Sequence, residues 1–287
     1  MLYVQPLFRK FSLFMFLLLP SLCLGEELDS TSPALEGSVD LAMSHNPVTL
    51  GLRMTAYRRF HYGKNQSMLW KDLYFQWGVQ TVFNPSYIQY GTHIEWLPIA
   101  LLKLRASYDA YHHFGQYGTV LSFDNANDAY SDSTLMVRQG SEQSGFAQRF
   151  ALQPTVRLRL GKFVARHVVN INRYRFSQQG EVFLDRAIDI LVAQDGHVLV
   201  NTSQLLFDFS MPQSRLLAGT FYELTKSVEA DLRRQRLGGV VFFSASIFRR
   251  VVSKPRGFAQ VAYNIEDRNR QGGMFFLIGG GFDYTLF

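Results

Sequence analysis

The sequence predicts an all-β fold, a closed antiparallel transmembrane β-barrel of about twelve strands. Three observations lead there. Apolar residues recur at every second position through segments of a dozen residues or more, aromatic residues bracket those segments, and only Phe11 to Leu24 runs apolar without interruption. A helical span needs roughly 20 such residues, so a multi-span helical membrane protein is excluded. With 47% hydrophobic, 15% aromatic and 18% charged residues over 287 positions, the chain also lies far from the composition of disorder.

The first apolar run reads as an export signal. Arg9 and Lys10 supply a basic n-region, Phe11 to Leu19 an apolar stretch, Pro20 a break, and Cys23, Leu24 and Gly25 a small-residue exit before Glu26 and Glu27. Residues 1–25 are therefore expected to be a cleaved signal peptide, 26–36 a short polar periplasmic leader and 37–287 the barrel. The only cysteine, Cys23, falls in the signal. The expected mature chain thus has no disulfide, zinc-thiolate or cysteine-nucleophile chemistry.

The alternation is clearest from Phe150 to Leu160. Phe150, Leu152, Pro154, Val156, Leu158 and Leu160 fall on one face and Gln153, Thr155, Arg157 and Arg159 on the other, a period of two that only a strand displays. Leu50 to Phe60 and Leu102 to His112 repeat it. Extending the rule places strands near 37–45, 49–61, 69–83, 86–97, 100–114, 147–160, 163–176, 197–209, 214–225, 236–249, 257–267 and 273–287. Turn residues fall between them, including Asn46 with Pro47, Asn84 with Pro85, Gly161, Pro212, Pro255 and Gly272 with Gly273. Gly279, Gly280 and Gly281 sit inside a strand, which marks a close backbone approach and not a phosphate loop. A soluble sandwich would alternate too, but its strands average five to six residues. These are longer and carry aromatics near their ends, such as Tyr57 and Phe60, Trp70 and Phe83, and Tyr87 and Trp96, as an interfacial girdle does.

An export signal, a dozen amphipathic strands, no mature cysteine and a last aromatic strand ending in Phe287 resemble the outer-membrane β-barrel proteins of double-membraned bacteria. The resemblance is one of pattern over residues 37–287, without a shared motif. One detail departs from it: Phe276, Ile278, Phe282, Tyr284 and Leu286 form the apolar face, and Phe287 falls one residue out of step. The resemblance implies an outer-membrane location, with outer-membrane lipid, lipopolysaccharide and the barrel assembly machinery as partners. It also implies both chain ends on the periplasmic side, so that the two longest connections, 115–146 and 177–196, become outer loops. Lys226, Arg233, Arg234 and Arg236 cluster around the outer loop 226–235, where they read either as phosphate contacts to lipopolysaccharide or as a solvated charge cluster.

Function should lie on the inward face. The expected lumen set is Arg53, Arg59, Lys103, Arg105, Arg157, Arg159 and Arg166 against Asp72, Glu95 and Asp109, an excess of positive charge that suits a porin-like channel for small anionic solutes. The same residues could instead pair and close a narrow barrel. An adhesin-like role for loop 115–146, through Tyr117 and Tyr130, is a further alternative. An outer-membrane lipid hydrolase would need a Ser, a His and a third polar group together on the lipid face; Ser44, His45 and Asn46 are contiguous and point to opposite faces, and His167 faces outward near an inner turn. His112, His113, Asp124, Asp128 and Asp132 match no defined metal loop. No catalytic residue, cofactor, metal or nucleic-acid partner is expected.

Overall fold

The computed structural model describes residues 35–62, 69–70, 72–117, 119–138, 140–185, 188–245 and 253–285. The expected signal peptide, most of the leader, and Phe287 lie outside them. Twelve strands close into one barrel: β1 (Leu35–His45), β2 (Thr49–His61), β3 (Tyr74–Asn84), β4 (Tyr87–Ile99), β5 (Leu102–Phe114), β7 (Ser144–Leu160), β8 (Phe163–Phe176), β11 (Asp195–Met211), β12 (Ser214–Ser227), β13 (Leu232–Ala245), β14 (Ser253–Glu266) and β15 (Met274–Thr285). Neighbours in sequence are neighbours in the wall, all antiparallel, and β1 pairs with β15 from Glu36 opposite Thr285 to His45 opposite Phe276. No helix among the described residues is long and apolar enough to cross a membrane.

The wall follows the alternation. On β7, Phe150, Leu152, Val156, Leu158 and Leu160 are exposed on the outer surface, while Ala147 and Thr155 are buried on the inner one. Leu41, Met54, Val79, Ile94, Ile171, Leu205, Val241 and Ile278 continue the exposed set round the barrel. Such a belt is stable only against hydrocarbon, where closure is required because no water is present to satisfy an open strand edge.

Three departures from the expected boundaries have local causes. β1 begins at Leu35, inside the expected leader, because its backbone is already pairing with β2 there. β3 begins at Tyr74 instead of near 69, since Asp72 takes a left-handed backbone (φ 58°) and ends the preceding turn. β14 begins at Ser253, ahead of Pro255, which stands close enough to the strand's start to be tolerated.

The largest departure is the pair of long outer loops. They do not stand in solvent. β6 (Ser122–Phe123), β9 (Val182–Asp185) and β10 (Ile190–Ala193) form a second, three-stranded sheet, joined by the short helix α1 (Asp132–Val137). Leu121, Phe183, Leu184, Leu191 and Val192 are fully buried, packed with Tyr111, Tyr174, Phe176, Val198 and Leu232 of the wall. The loops therefore plug the outer mouth with an apolar core. Tyr130, expected on an adhesive surface, is 2% exposed within that plug.

The belt and the lumen respond differently to charge. Leu152→Arg, in mid-strand on the lipid side, should cost about 2–4 kcal/mol. Gln153→Glu, one position on and across from Arg105, should stay within about 0.5 kcal/mol of wild type. Equilibrium urea unfolding in lipid vesicles measures both.

Candidate functional site

The candidate site is the lumen, and its polar side begins with two buried carboxylates. Asp109 on β5 has no exposed side-chain surface. It accepts from Gln80 Nε2 and Gln89 Nε2, both at 2.7 Å, from Ser107 Oγ at 3.2 Å, and from Arg149 Nη2 at 2.8 Å and Nε at 3.2 Å. Gly91 makes the space for it, because a Cβ there would lie 2.1 Å from Asp109 Oδ1. Glu95, two layers toward the inner end, accepts from Tyr74 OH at 2.5 Å and Lys103 Nζ at 3.0 Å, with Arg105 Nη1 at 3.8 Å. Arg105 in turn donates to Gln80 Oε1 at 2.8 Å, so the two carboxylates share one network.

Other guanidinium groups are also engaged. Arg59 donates to Gln76 Oε1 at 3.0 Å and lies over the Tyr74 ring, 4.7 Å from its centroid. Asp208 takes Arg159 at 3.2 Å and Arg215 at 2.7 Å. Arg256 joins β14 to both neighbours of the closing seam through Asp40 at 2.7 Å and Asp283. Gly281 clears room for that pair, since a Cβ there would sit 2.3 Å from Asp40 Oδ1.

Three of the predicted residues stand apart. Arg53, Arg157 and Arg166 face the lumen, and among the described residues no carboxylate lies within ion-pair distance of them. Arg53 and Arg157 are exposed although they point inward. Arg166 has one acceptor, Gln204 Oε1 at 3.3 Å, and a buried Nε with none. Arg157 and Arg166 are direct cross-strand partners between β7 and β8.

Asp72, predicted among the lumen carboxylates, is instead exposed in the turn before β3. Arg149, Asp208, Arg215, Asp40, Arg256 and Asp283 are lumen residues that sequence reasoning missed. For Arg149 the signal was present, because the period of two continues from Arg157 back through Thr155 and Gln153 to it; Arg256 was hidden by reading Pro255 as a turn.

Arg234 and Arg236 also point inward, not toward lipopolysaccharide. They surround Asp189 at the tip of the β9–β10 hairpin. Arg270 Nη1 lies 3.2 Å from its Oδ2, Arg236 Nη2 3.7 Å and Arg234 Nη1 3.8 Å. Burial pushes the Asp189 carboxyl up from its ordinary range, and the three guanidinium groups pull against that. Arg234 Nη1 also donates to the Ile188 carbonyl at 2.5 Å and the Asp189 carbonyl at 3.0 Å, a hold on the tip that does not depend on the carboxyl's charge. Of the expected outer cluster, Lys226 and Arg233 do face outward, as cross-strand partners on the outer rim.

This is a closed, charge-lined barrel with an apolar exterior. No family model matches the chain, and its sequence finds no match among curated proteins. Among solved structures it is similar to the β-domain of the Bordetella autotransporter BrkA, at 10% identity over 90% of this chain and 100% of that one, with a TM-score of 0.48. It is similar also to the KdgM porin in complex with oligogalacturonate (6% identity, 88% and 99%, TM-score 0.40) and to an outer membrane channel from Pseudomonas putida F1 (11%, 91% and 98%, 0.42).

On the lipid side the fold brings together one pair that the sequence did not suggest. His167 Nδ1 lies 2.9 Å from Ser203 Oγ, across β8 and β11. Among the described residues no third polar group bonds the imidazole, so the pair lacks the orienting member of a nucleophile–base–acid set. Ser44 is bound to Thr49 Oγ1 and the Pro47 carbonyl, each at 2.7 Å, and His45 points to the other face. No group of three or more His, Cys, Asp or Glu able to hold a metal occurs among the described residues.

Asp109 should be the most costly lumen residue to remove. Asp109→Ala strands Arg149 and two amides, and a loss of about 3–5 kcal/mol is expected, against about 1 kcal/mol for Gln89→Ala. Unfolding midpoints of the two variants in the same vesicles give the comparison.

Proposed function

We propose that the protein is an outer-membrane channel of porin-like type whose lumen favours small anionic solutes. The observation that carries this is the Arg157–Arg166 pair. Like charges directly opposite on neighbouring strands destabilise a sheet by roughly 0.2–1 kcal/mol, and here the pair has no carboxylate to offset it. Paired charges elsewhere in the same lumen account for their own presence. Arg157 and Arg166 do not, and fixed positive charge in a low-dielectric passage attracts anions.

At the outer rim, outward-facing Arg173 and Arg175 share Asp195, Arg233 pairs with Glu266 and Lys226 stands 3.9 Å from Asp231; four cations against three carboxylates are the edge we propose for contact with lipopolysaccharide phosphates. A second reading, a closed structural barrel, draws on the apolar plug in the outer mouth; in that case the wild-type protein is silent in a planar bilayer.

Two measurements on one variant separate a working site from a tolerated defect. Arg157→Gln should raise stability by about 0.5 kcal/mol by relieving the like-charge contact, while the anion preference, read from reversal potentials in a salt gradient, falls. Arg157→Glu together with Arg166→Glu should abolish or reverse that preference. An unselective wild-type conductance, unchanged in the double variant, overturns the proposal.

A further inference from the structure

The contents of the barrel are lopsided. The plug strand β10 packs against β11, β12 and β13, and its hairpin tip is clasped there by Arg234, Arg236 and Arg270. Arg268, on the β14–β15 loop, fixes the other plug segment by donating to the carbonyls of Ala126, at 2.7 Å, and Asn127. Deeper in the lumen the same side is filled by its own apolar residues, Leu206, Phe221, Val240, Ala262 and Phe275, all buried together. Solute cannot pass there without unpacking a core.

The other side is open. A cavity of about 1210 Å³ lies between the plug, represented by Thr119 and Leu135, and the wall formed by β1, β2 and the starts of their neighbours. Its lining runs from Val48 and Tyr117, 67% and 59% exposed at the outer surface, inward to Arg53, Asp40 and Arg256. At that inner end Asp40 is taken by Arg256 at 2.7 Å, whereas Arg53, the cross-strand partner of Asp40 on β2, has no carboxylate within ion-pair distance among the described residues. The two carboxylates of the lining are already engaged, Asp40 by Arg256 and Glu142 by the Gly140 N–H at 2.6 Å, so a cavity that begins at the outer surface and ends on a guanidinium outside any ion pair has the form of an entry path for an anion.

We infer that solute enters along the β1–β2 wall beside a plug that stays seated, and that Arg53 is the residue selecting anions at the inner end of this side passage. The inference deepens the channel reading and rests on it. Displacement of the plug is then unnecessary for conduction. A small carboxylate or an inorganic anion fits such a passage, because one guanidinium fork at its end presents donors for one anionic group.

Cysteine accessibility tests the passage separately from conduction. In a full-length Cys23→Ser background the engineered thiol is the only one, and intact double-membraned cells expose only the outer surface. A membrane-impermeant anionic methanethiosulfonate should modify Arg53→Cys from outside at a rate within about tenfold of the exposed control Val48→Cys. Loosening the clasp with Arg234→Gln and Arg270→Gln should leave that rate within about twofold. In bilayers, Arg53→Gln should lower the anion-to-cation permeability ratio roughly threefold or more. Retained heat-modifiable migration shows that each variant is folded.

Conductance with no labelling at position 53, or labelling that appears only when the clasp is loosened, overturns the side passage while leaving the channel intact. Ready labelling in a protein that conducts nothing overturns the channel reading itself and reduces the cavity to a blind pocket. Labelling and conductance together, with unchanged ion preference in Arg53→Gln, remove Arg53 from its assigned role.

Discussion

Hydrocarbon offers no partner to a backbone N–H or C=O, and from this constraint the rest of the molecule follows. Each of the twelve wall strands has two neighbours, and the first closes on the last through ten successive register pairs. Once the wall is closed, alternation sends every second side chain to lipid and every other one to an enclosed space. The outer set has one solution, which is to be apolar. The inner set has several, and this protein uses three at once: paired charges, most densely along β3 to β7 and again at Asp208 and Arg256, an apolar fill along β11 to β15, and a plug made from its own outer loops.

These three solutions divide the lumen by side as well as by depth. Asp109 and Glu95 gather their donors from β3, β4, β5 and β7, so the polar network is a stretch of wall in which Arg149, Lys103 and Arg105 meet two carboxylates. The apolar fill and the clasped hairpin occupy the opposite stretch. Arg53, Arg157 and Arg166 stand outside those ion pairs, with no carboxylate within ion-pair distance among the described residues.

The wall was legible in the sequence to a degree that the lumen was not. A period of two fixes which residues share a face, and Leu152, Val156, Leu158 and Leu160 on lipid with Arg157 inside follow from that alone. Pairing across strands depends on register and tilt, which no local pattern states, so the partners of Arg105 or Asp208 could not be read. The plug was missed for a different reason. Loops 115–146 and 177–196 read as polar by composition, yet Val182-Phe183-Leu184 and Ile190-Leu191-Val192 are short apolar runs with no place in a solvated loop, and the wall residues they meet, Tyr111, Tyr174 and Phe176, break the polarity of the inner face at its outer end. Those two anomalies belong together. Asp72 was misplaced because alternation was extended through a residue whose left-handed backbone ends the turn.

The clasp on the hairpin tip ties the plug to the completion of the wall. Arg234 and Arg236 stand on β13 and Arg270 on the loop between the last two strands, all beyond residues 188 and 189 in the chain. Until those strands join the wall, the tip has carbonyls and a carboxylate but no guanidinium to meet them. The clasp is therefore complete only when the wall is, and a barrel short of its final strands would lack the groups that hold the hairpin tip.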